Sequence, residues 1–114
     1  MRSVKIIPSE HVEQVHLVQW LTIKKIRHNS TPNGGHRHKA VAGKLKAEGV
    51  SAGYPDINIY LPSIMLCIEL KRQKGGQVSP RQKEWLEALN KLPYCNAKVC
   101  RGWVEAKEFI EGYL

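Results

Sequence analysis

The chain has 114 residues, of which 42% are hydrophobic and 25% charged, and this length and composition predict a single globular domain over residues 1–114. No apolar run approaches the roughly 20 residues of a membrane-spanning helix, and the first residues lack the long apolar stretch of a secretory signal. We therefore expect a cytoplasmic protein with no membrane partner.

The charge balance is strongly basic, with 18 Lys and Arg against 10 Asp and Glu and a formal net charge of +8. This excess favours a polyanionic partner, although a basic surface can also serve solubility alone. The basic residues crowd into residues 24–48, where Gly and Asn also allow a close approach of the backbone. That crowding favours nucleic acid as the partner, with binding that weakens steeply as salt rises.

The three cysteines are Cys67, Cys95 and Cys100. Their odd number and the expected cytoplasmic setting argue against a disulfide framework, and their spacing lacks the paired CxxC motifs of a structural zinc site. Cys67 lies within an apolar, strand-like run, and we predict that it is a small buried hydrophobic residue.

The first half of the chain contains two predicted helices. Apolar residues at helical intervals predict a first helix over residues 10–24, with Ser9 as its N-cap. A short strand is expected at 23–28, and the Pro, Asn and Gly residues that follow predict a turn at 29–35. The basic tract then predicts a short helix at 40–47 between exposed loops.

The second half contains the main predicted strands. Alternating apolar residues predict a strand at 56–61, and a more continuous apolar run predicts a central strand at 64–71, joined to the first as a hairpin. A helix at 80–92, a strand at 97–100 and a helix at 104–113 complete the chain. This order predicts an α/β fold in which a small mixed β-sheet is flanked by α-helices.

Three charged residues lie at the ends of these apolar strands, where ionised groups are costly to desolvate. Glu69 and Lys71 share one face of their strand, whereas Leu70 points to the other. If Asp56 begins the neighbouring strand, its carboxylate comes near Glu69, and the two repel unless a cation lies between them. Carboxylate oxygens suit Mg²⁺ or Mn²⁺. The alternative is an exposed ion pair between Glu69 and Lys71, which would contribute ~0 to 1 kcal/mol.

Pro55-Asp56 followed by Glu69-Leu70-Lys71 resembles the signature of PD-(D/E)XK nucleases. The longer phrase PNGGHRHKAVAGKLKAEGVSAGYPDI (32–57), followed by IELK and SPRQKEW (79–85), resembles the VRR-NUC (virus-type replication-repair nuclease) branch, especially its small stand-alone members in phages and prophages. The resemblance covers about residues 9–103. It implies a restriction-endonuclease-like core, an Mg²⁺- or Mn²⁺-dependent deoxyribonuclease activity and a bacterial host cell.

The same resemblance implies roles for individual residues. It makes Asp56, Glu69 and the Leu70 carbonyl the metal ligands, and it makes Lys71 the catalytic lysine. A further acid is expected on the first helix, and Glu10 fits that motif best.

Two of these assignments have alternatives within the sequence. Glu13, one turn after Glu10, is a competing candidate for the first-helix acid. Gln82 matches the Gln of the family's QxxW element and would lie near the metal, but Ser79 and Gln82 also form a capping-box pattern. In that pattern the Gln82 side chain bonds back to the Ser79 backbone, so a structural role competes with a catalytic one.

Four basic residues flank the loop that delivers Asp56, and we expect them to contact phosphates: Arg37, Lys39, Lys44 and Lys46. Trp85 is predicted to belong to the core rather than to stack on a base, because it is in helical phase with Leu86 and Leu89. Gly53 is expected to allow a phosphate or a neighbouring loop to approach closely, or to be a plain turn residue.

The preferred function is a metal-dependent DNA endonuclease that acts as a homodimer on branched DNA such as Holliday junctions, because a symmetric dimer presents two active sites. One alternative is a catalytically idle DNA-binding module with the same fold. Another is a protein-interaction domain, which would not bind DNA even at low salt.

Overall fold

The computed structural model describes residues 6–32 and 39–114. The elements in chain order are α1 (Glu10–Ile23), β1 (Arg27–Ser30), α2 (Lys39–Ala47), β2 (Ile57–Tyr60), β3 (Met65–Lys71), α3 (Pro80–Asn90), β4 (Cys95–Arg101) and α4 (Trp103–Glu111). The strands form one sheet in the order β1-β2-β3-β4. Pairing is antiparallel except between β3 and β4, which are parallel and connected through α3. The predicted α/β fold with a mixed sheet and flanking helices is confirmed.

One face of the sheet carries the larger core. Leu66, Ile68 and Leu70 alternate along β3 and pack with Leu17 of α1 and Ile110 of α4, all of them essentially inaccessible to solvent. Burying an aliphatic side chain of this size contributes roughly 1.5–3 kcal/mol. Helices α1 and α4 are therefore held on this face by packing against the alternate apolar side chains of β3.

The opposite face of β3 and β4 is covered by α3. Cys67, Ala97 and Leu89 form a second buried cluster there, with Trp85 packed against it, as predicted. Cys67 is fully buried, which confirms its predicted role as a small hydrophobic residue. Because β3 is buried on both faces and lies between β2 and β4, its predicted central position is also confirmed.

The predicted bounds of the strand at 23–28 and of the turn at 29–35 are wrong, because the strand begins and ends later than predicted. Helix α1 continues to Ile23, and Lys25 takes a positive φ of 57° that turns the chain after the helix. Strand β1 then runs from Arg27 to Ser30, paired with β2. This RHNS segment has no apolar alternation, so its extended conformation comes from pairing with β2, a long-range contact.

The other element ends lie within a few residues of their predicted positions. Helices α3 and α4 each end two residues earlier than predicted, at Asn90 and Glu111, and β4 begins at Cys95 rather than at residue 97. The strand is longer because it pairs along its whole length with β3, from Met65 opposite Cys95 to Lys71 opposite Arg101. The predicted N-cap is confirmed, since the Ser9 hydroxyl accepts the Val12 backbone N–H at 3.2 Å.

Gly53 fastens the loop before β2 to the first turn of α3. Its φ is +90°, and a Cβ at this position would lie 2.7 Å from the Arg81 carbonyl carbon and 2.8 Å from the Arg81 Cβ. The close neighbour that Gly53 admits is therefore a helix backbone. This contact joins the loop that leads to Asp56 with the helix that carries Gln82.

We expect Gly53→Ala to destabilise the fold by about 3 kcal/mol, because a positive φ is strained for Ala and the new methyl group meets backbone atoms. Gly49→Ala is the matched control, since Gly49 has φ +97° but no heavy atom within 4 Å of its would-be Cβ. Urea unfolding should give Gly49→Ala a loss of only about 1–2 kcal/mol. Equal losses in the two variants would show that the contact with Arg81 is unimportant.

Among the residues that the structure describes, every helix is too short or too polar to traverse a bilayer. The cytoplasmic location stays a prediction.

Candidate active site

The pairing register brings Asp56 and Glu69 together. Strands β2 and β3 are antiparallel with Ile57 opposite Ile68, so continuing the register by one residue sets Asp56 opposite Glu69. Side chains two residues apart on a strand share a face, which places Lys71 on the same face as Glu69. The acidic pair and the amine thus meet at the edge of the face that α3 partly covers.

The Glu69 carboxylate is buried, with 2% of the residue exposed. Its Oε1 accepts a hydrogen bond from Gln82 Nε2 at 2.7 Å and lies 3.6 Å from Lys71 Nζ. Its Oε2 is buried and has no hydrogen-bond partner. A buried carboxylate oxygen that is left unpaired is costly, and a bound cation is one way to satisfy it.

Burial raises the pKa of the Glu69 carboxyl to about 8. The neighbouring Asp56 carboxylate adds to the rise, Lys71 opposes it, and Glu10 contributes a smaller increase. Two other acidic side chains and one amine therefore act on the Glu69 carboxyl group. Such a strongly perturbed group in a cluster of charges is typical of functional sites.

In the metal-free protein, Glu69 should make stability fall as pH rises. Its pKa is about 8 in the folded chain against 4.5 without the fold, so between these values only the folded state holds the proton. The stabilisation is complete below pH 4.5 and is lost as pH rises through about 8. We expect melting in EDTA between about pH 5 and pH 8 to show this slope.

The matched variant for this measurement is Glu69→Gln, which keeps the shape of the side chain but cannot ionise. The other titrating groups, including Asp56, Lys71 and Glu10, remain in both proteins. The difference in Tm between wild type and variant isolates Glu69, and parallel pH profiles would contradict the assigned pKa.

Asp56 is held in place by backbone groups of two neighbouring strands. Its Oδ2 accepts the Leu70 N–H at 2.8 Å, and its carbonyl accepts the Thr31 N–H at 2.9 Å. The first bond anchors the carboxylate to β3 between Glu69 and Lys71. The sheet therefore fixes the position of the Asp56 carboxylate, although the residue lies just before β2.

Gln82 forms the predicted capping box and also contacts Glu69, whereas its catalytic role stays a prediction. Its Oε1 accepts the Ser79 N–H at 2.9 Å while its backbone N–H donates to the Ser79 hydroxyl at 3.2 Å, which completes the capping box. Its Nε2 is left to donate to Glu69. The cap fixes the orientation of the amide, so the helix start positions the Glu69 carboxylate.

The two acids of α1 have different surroundings. Glu13 is 1% exposed, and its carboxylate accepts the Trp103 N–H and the Gln73 side-chain amide, each at 3.0 Å. Gly102, the N-cap of α4, has no side chain, so Glu13 caps α4 from another helix. Glu10 is exposed and acts electrostatically on Glu69. The surroundings favour Glu10 as the acid facing the site.

The donor set fits a hard divalent cation. Asp56 and Glu69 supply carboxylate oxygens, and one of these oxygens is buried without a partner. In the described part of the chain, no three His, Cys, Asp or Glu side chains are arranged as a metal site. The two carboxylates form a smaller protein set, to which the resemblance adds the Leu70 carbonyl, and such a set suits Mg²⁺ because this ion usually keeps several waters.

The predicted phosphate-contacting residues are only partly described. Lys44 and Lys46 are exposed on the last turn of α2, on either side of Leu45. Lys39 begins α2, but its side chain lies outside the described part of the chain, as does the whole of Arg37. The contacts of all four with phosphate stay predictions.

The sequence did not reveal the residues that hold the loop after β3, next to Lys71, in place. Arg101 donates to the carbonyls of Gly75 at 2.6 Å, Gly76 at 3.1 Å and Arg72 at 3.3 Å. The Gln73 side chain reaches back to Glu13 on α1. These bonds fix the loop after β3. No local sequence pattern signals them, because the partners are 25 to 60 residues apart.

Comparison with known proteins identifies the family of this chain. The family model of the VRR-NUC domain matches residues 5–103. A solved structure described as "VRR_NUC domain protein" is 27% identical and has a TM-score of 0.77, covering 100% of this chain and 91% of that chain. No curated protein matches the chain. Because the family model spans most of its length, the chain belongs to the VRR-NUC family, whose domain is a nuclease-type domain for processing DNA.

Proposed function

We propose that this protein is an Mg²⁺- or Mn²⁺-dependent DNA endonuclease. The observation that carries the proposal is the unpaired, buried Oε2 of Glu69 beside the Asp56 carboxylate. In this proposal Asp56, Glu69 and the Leu70 carbonyl hold the ion. When bound, it would supply positive charge at the phosphate and make water more acidic.

The side chains around these ligands have separate tasks. Lys71, 3.6 Å from Glu69, orients or deprotonates the attacking water, or neutralises the phosphoryl oxygens. Gln82 holds the Glu69 carboxylate through its 2.7 Å bond. Glu10 adds negative charge at the open side of the site, where it helps to bind the cation.

DNA is the partner, and we propose that it is branched. The described part of one chain carries one such site, so two symmetric cuts at a Holliday junction require two copies, which a homodimer supplies. The basic residues of α2 would contact the phosphates of the arms. A phage or prophage origin, with action in the cytoplasm of a bacterial host, belongs to the same proposal.

The test is cleavage of a synthetic four-way junction and of its linear duplex arms, with Mg²⁺, with Mn²⁺ and with EDTA. We expect metal-dependent cuts, paired symmetrically across the junction, and light scattering that reports a dimer. Metal-independent cleavage would overturn the metal requirement. Binding without any cleavage would indicate an idle DNA-binding module, and absence of DNA binding at low salt would indicate a protein-interaction domain.

A further inference from the structure

A cavity of about 390 Å³ lies beside the candidate active site, between the end of β1, α2 and α3. The residues that matter for its chemistry are Thr31, Leu45, Val50, Ser51, Tyr54 and Trp85. This volume is at the small end of the range of ligand pockets, roughly 300–1,000 Å³. It suits a ring-sized group rather than a helix or strand of a partner protein.

Two aromatic rings form one wall of the cavity and are held in place. Tyr54 and Trp85 meet edge to face, with ring centroids 5.0 Å apart and planes inclined at 75°. The Trp85 indole N–H donates to the Ser51 hydroxyl at 3.3 Å. Tyr54 also packs against the buried cluster that contains Cys67, which ties Tyr54 to the sheet. Fixed aromatic faces of this kind are stacking platforms for bases.

An unpaired polar atom lies in the layer beneath this wall. Asn58 is 4% exposed, and its Oδ1 is buried without a hydrogen-bond partner. Its Nδ2 donates to the Thr31 hydroxyl at 3.4 Å, and Asn58 pairs across the sheet with Cys67, whose cluster Tyr54 packs against. Asn58 thus supports the lining residue Thr31 from beneath, without itself lining the cavity.

The cavity shares its walls with the site. Tyr54 is two residues before Asp56, and Trp85 is one helical turn after Gln82, so the elements that place the site also form the wall. Leu45 lines the opposite side between the exposed Lys44 and Lys46. An apolar, aromatic cavity next to a helix that carries exposed lysines matches the chemistry of a nucleotide, which has an apolar ring and an anionic phosphate.

We propose that this cavity receives an unpaired nucleobase of the DNA substrate, next to the phosphodiester bond that is cut. This inference rests on the proposed nuclease function and adds a physical reason for preferring branched DNA. A base paired in a continuous duplex stays stacked, whereas a base at a branch or flap can enter the cavity at little cost. The cavity would therefore select substrates that contain unpaired nucleotides.

The test uses oligonucleotides with 2-aminopurine either unpaired in a flap or paired in a duplex, bound to the whole chain in EDTA so that no cleavage occurs. We expect saturable quenching for the unpaired base alone. Trp85→Leu keeps an apolar side chain on α3, packed against the cluster of Cys67 and Ala97, but removes the stacking face. It should weaken binding of the flap about tenfold and abolish quenching, with duplex binding unchanged.

Trp20→Leu is the matched control, because Trp20 packs against the larger core on the other face of the sheet. It should bind the flap as wild type does, and melting confirms that both variants are folded. Wild-type affinity and quenching in Trp85→Leu would overturn the proposal. Quenching without metal-dependent cleavage would instead overturn the nuclease function and leave the base site standing, so the two failures are distinguishable.

Discussion

Replacing Glu69 with Gln should reduce DNA cleavage at least about a thousandfold while leaving the fold intact. The amide has nearly the shape of the carboxylate but loses the negative charge that a divalent cation needs. Lys71→Met should cost at least about a hundredfold, because it removes the only amine within ion-pair distance of Glu69 in the described part of the chain. Initial rates of junction cleavage in Mn²⁺ and Mg²⁺ measure both effects.

Two substitutions of the same chemistry serve as controls for these variants. Lys98→Met removes a strand lysine whose Nζ lies 5.3 Å from the centre of the Phe109 ring of α4, on the face opposite Lys71. Glu108→Gln removes an exposed carboxylate of α4. Both should cleave at the wild-type rate. Unchanged cleavage by Glu69→Gln would contradict the assignment of Glu69 to the active site.

The two acids of α1 should separate stability from activity. Glu13→Ala leaves the Trp103 N–H and the Gln73 amide without their acceptor inside the protein. At about 1–3 kcal/mol for each unpaired donor, we expect a loss of about 4 kcal/mol and a fall of roughly 15 °C in Tm. Glu10→Ala removes an exposed side chain, so its Tm should change little, whereas cleavage should fall because the charge near Glu69 is gone.

Thermal melting and single-turnover cleavage of both variants decide between the two acids. Glu13→Gln is informative if Glu13→Ala is too unstable to assay, because it keeps most of the packing. A stable Glu13 variant without activity, together with a fully active Glu10→Ala, would reverse the assignment of the first-helix acid.

Local patterns predicted the parts of the site that depend on neighbouring residues. The period of two along β3 predicted that Glu69 and Lys71 share a face while Leu70 is buried, and Leu70 is 1% exposed. The two apolar runs between Asp56 and Glu69 predicted a hairpin, and the register sets these two residues opposite each other. The capping-box spacing at Ser79 and Gln82 likewise predicted a helix start that the structure confirms.

What the sequence did not reveal depends on contacts between distant residues. Glu13 caps α4 across 90 positions of the chain, and β1 is extended only because it pairs with β2. Trp85 is in phase with the core, as predicted, yet its ring also lines a cavity formed with α2. Helical phase reports which face of a helix is buried but not what lies beside that face.

The resemblance to VRR-NUC proteins indicated a function for Glu69 and Lys71 that physical reasoning on the sequence left open. A carboxylate near a lysine is compatible with an ordinary ion pair. The burial of both groups excludes an exposed pair, since the Lys71 and Glu69 side chains are 9% and 3% accessible. Membership of the VRR-NUC family then makes nuclease-type DNA processing the function to be tested at this cluster.

The central claim is that Asp56 and Glu69 together hold one divalent cation. Calorimetric titration of the DNA-free chain with Mn²⁺ tests it most directly, with Asp56→Asn, Glu69→Gln and the control Glu108→Gln alongside. We predict one site in the wild type and the control, and affinity weakened at least about tenfold in each of the other two variants. Equal Mn²⁺ affinity in all four proteins would contradict the claim.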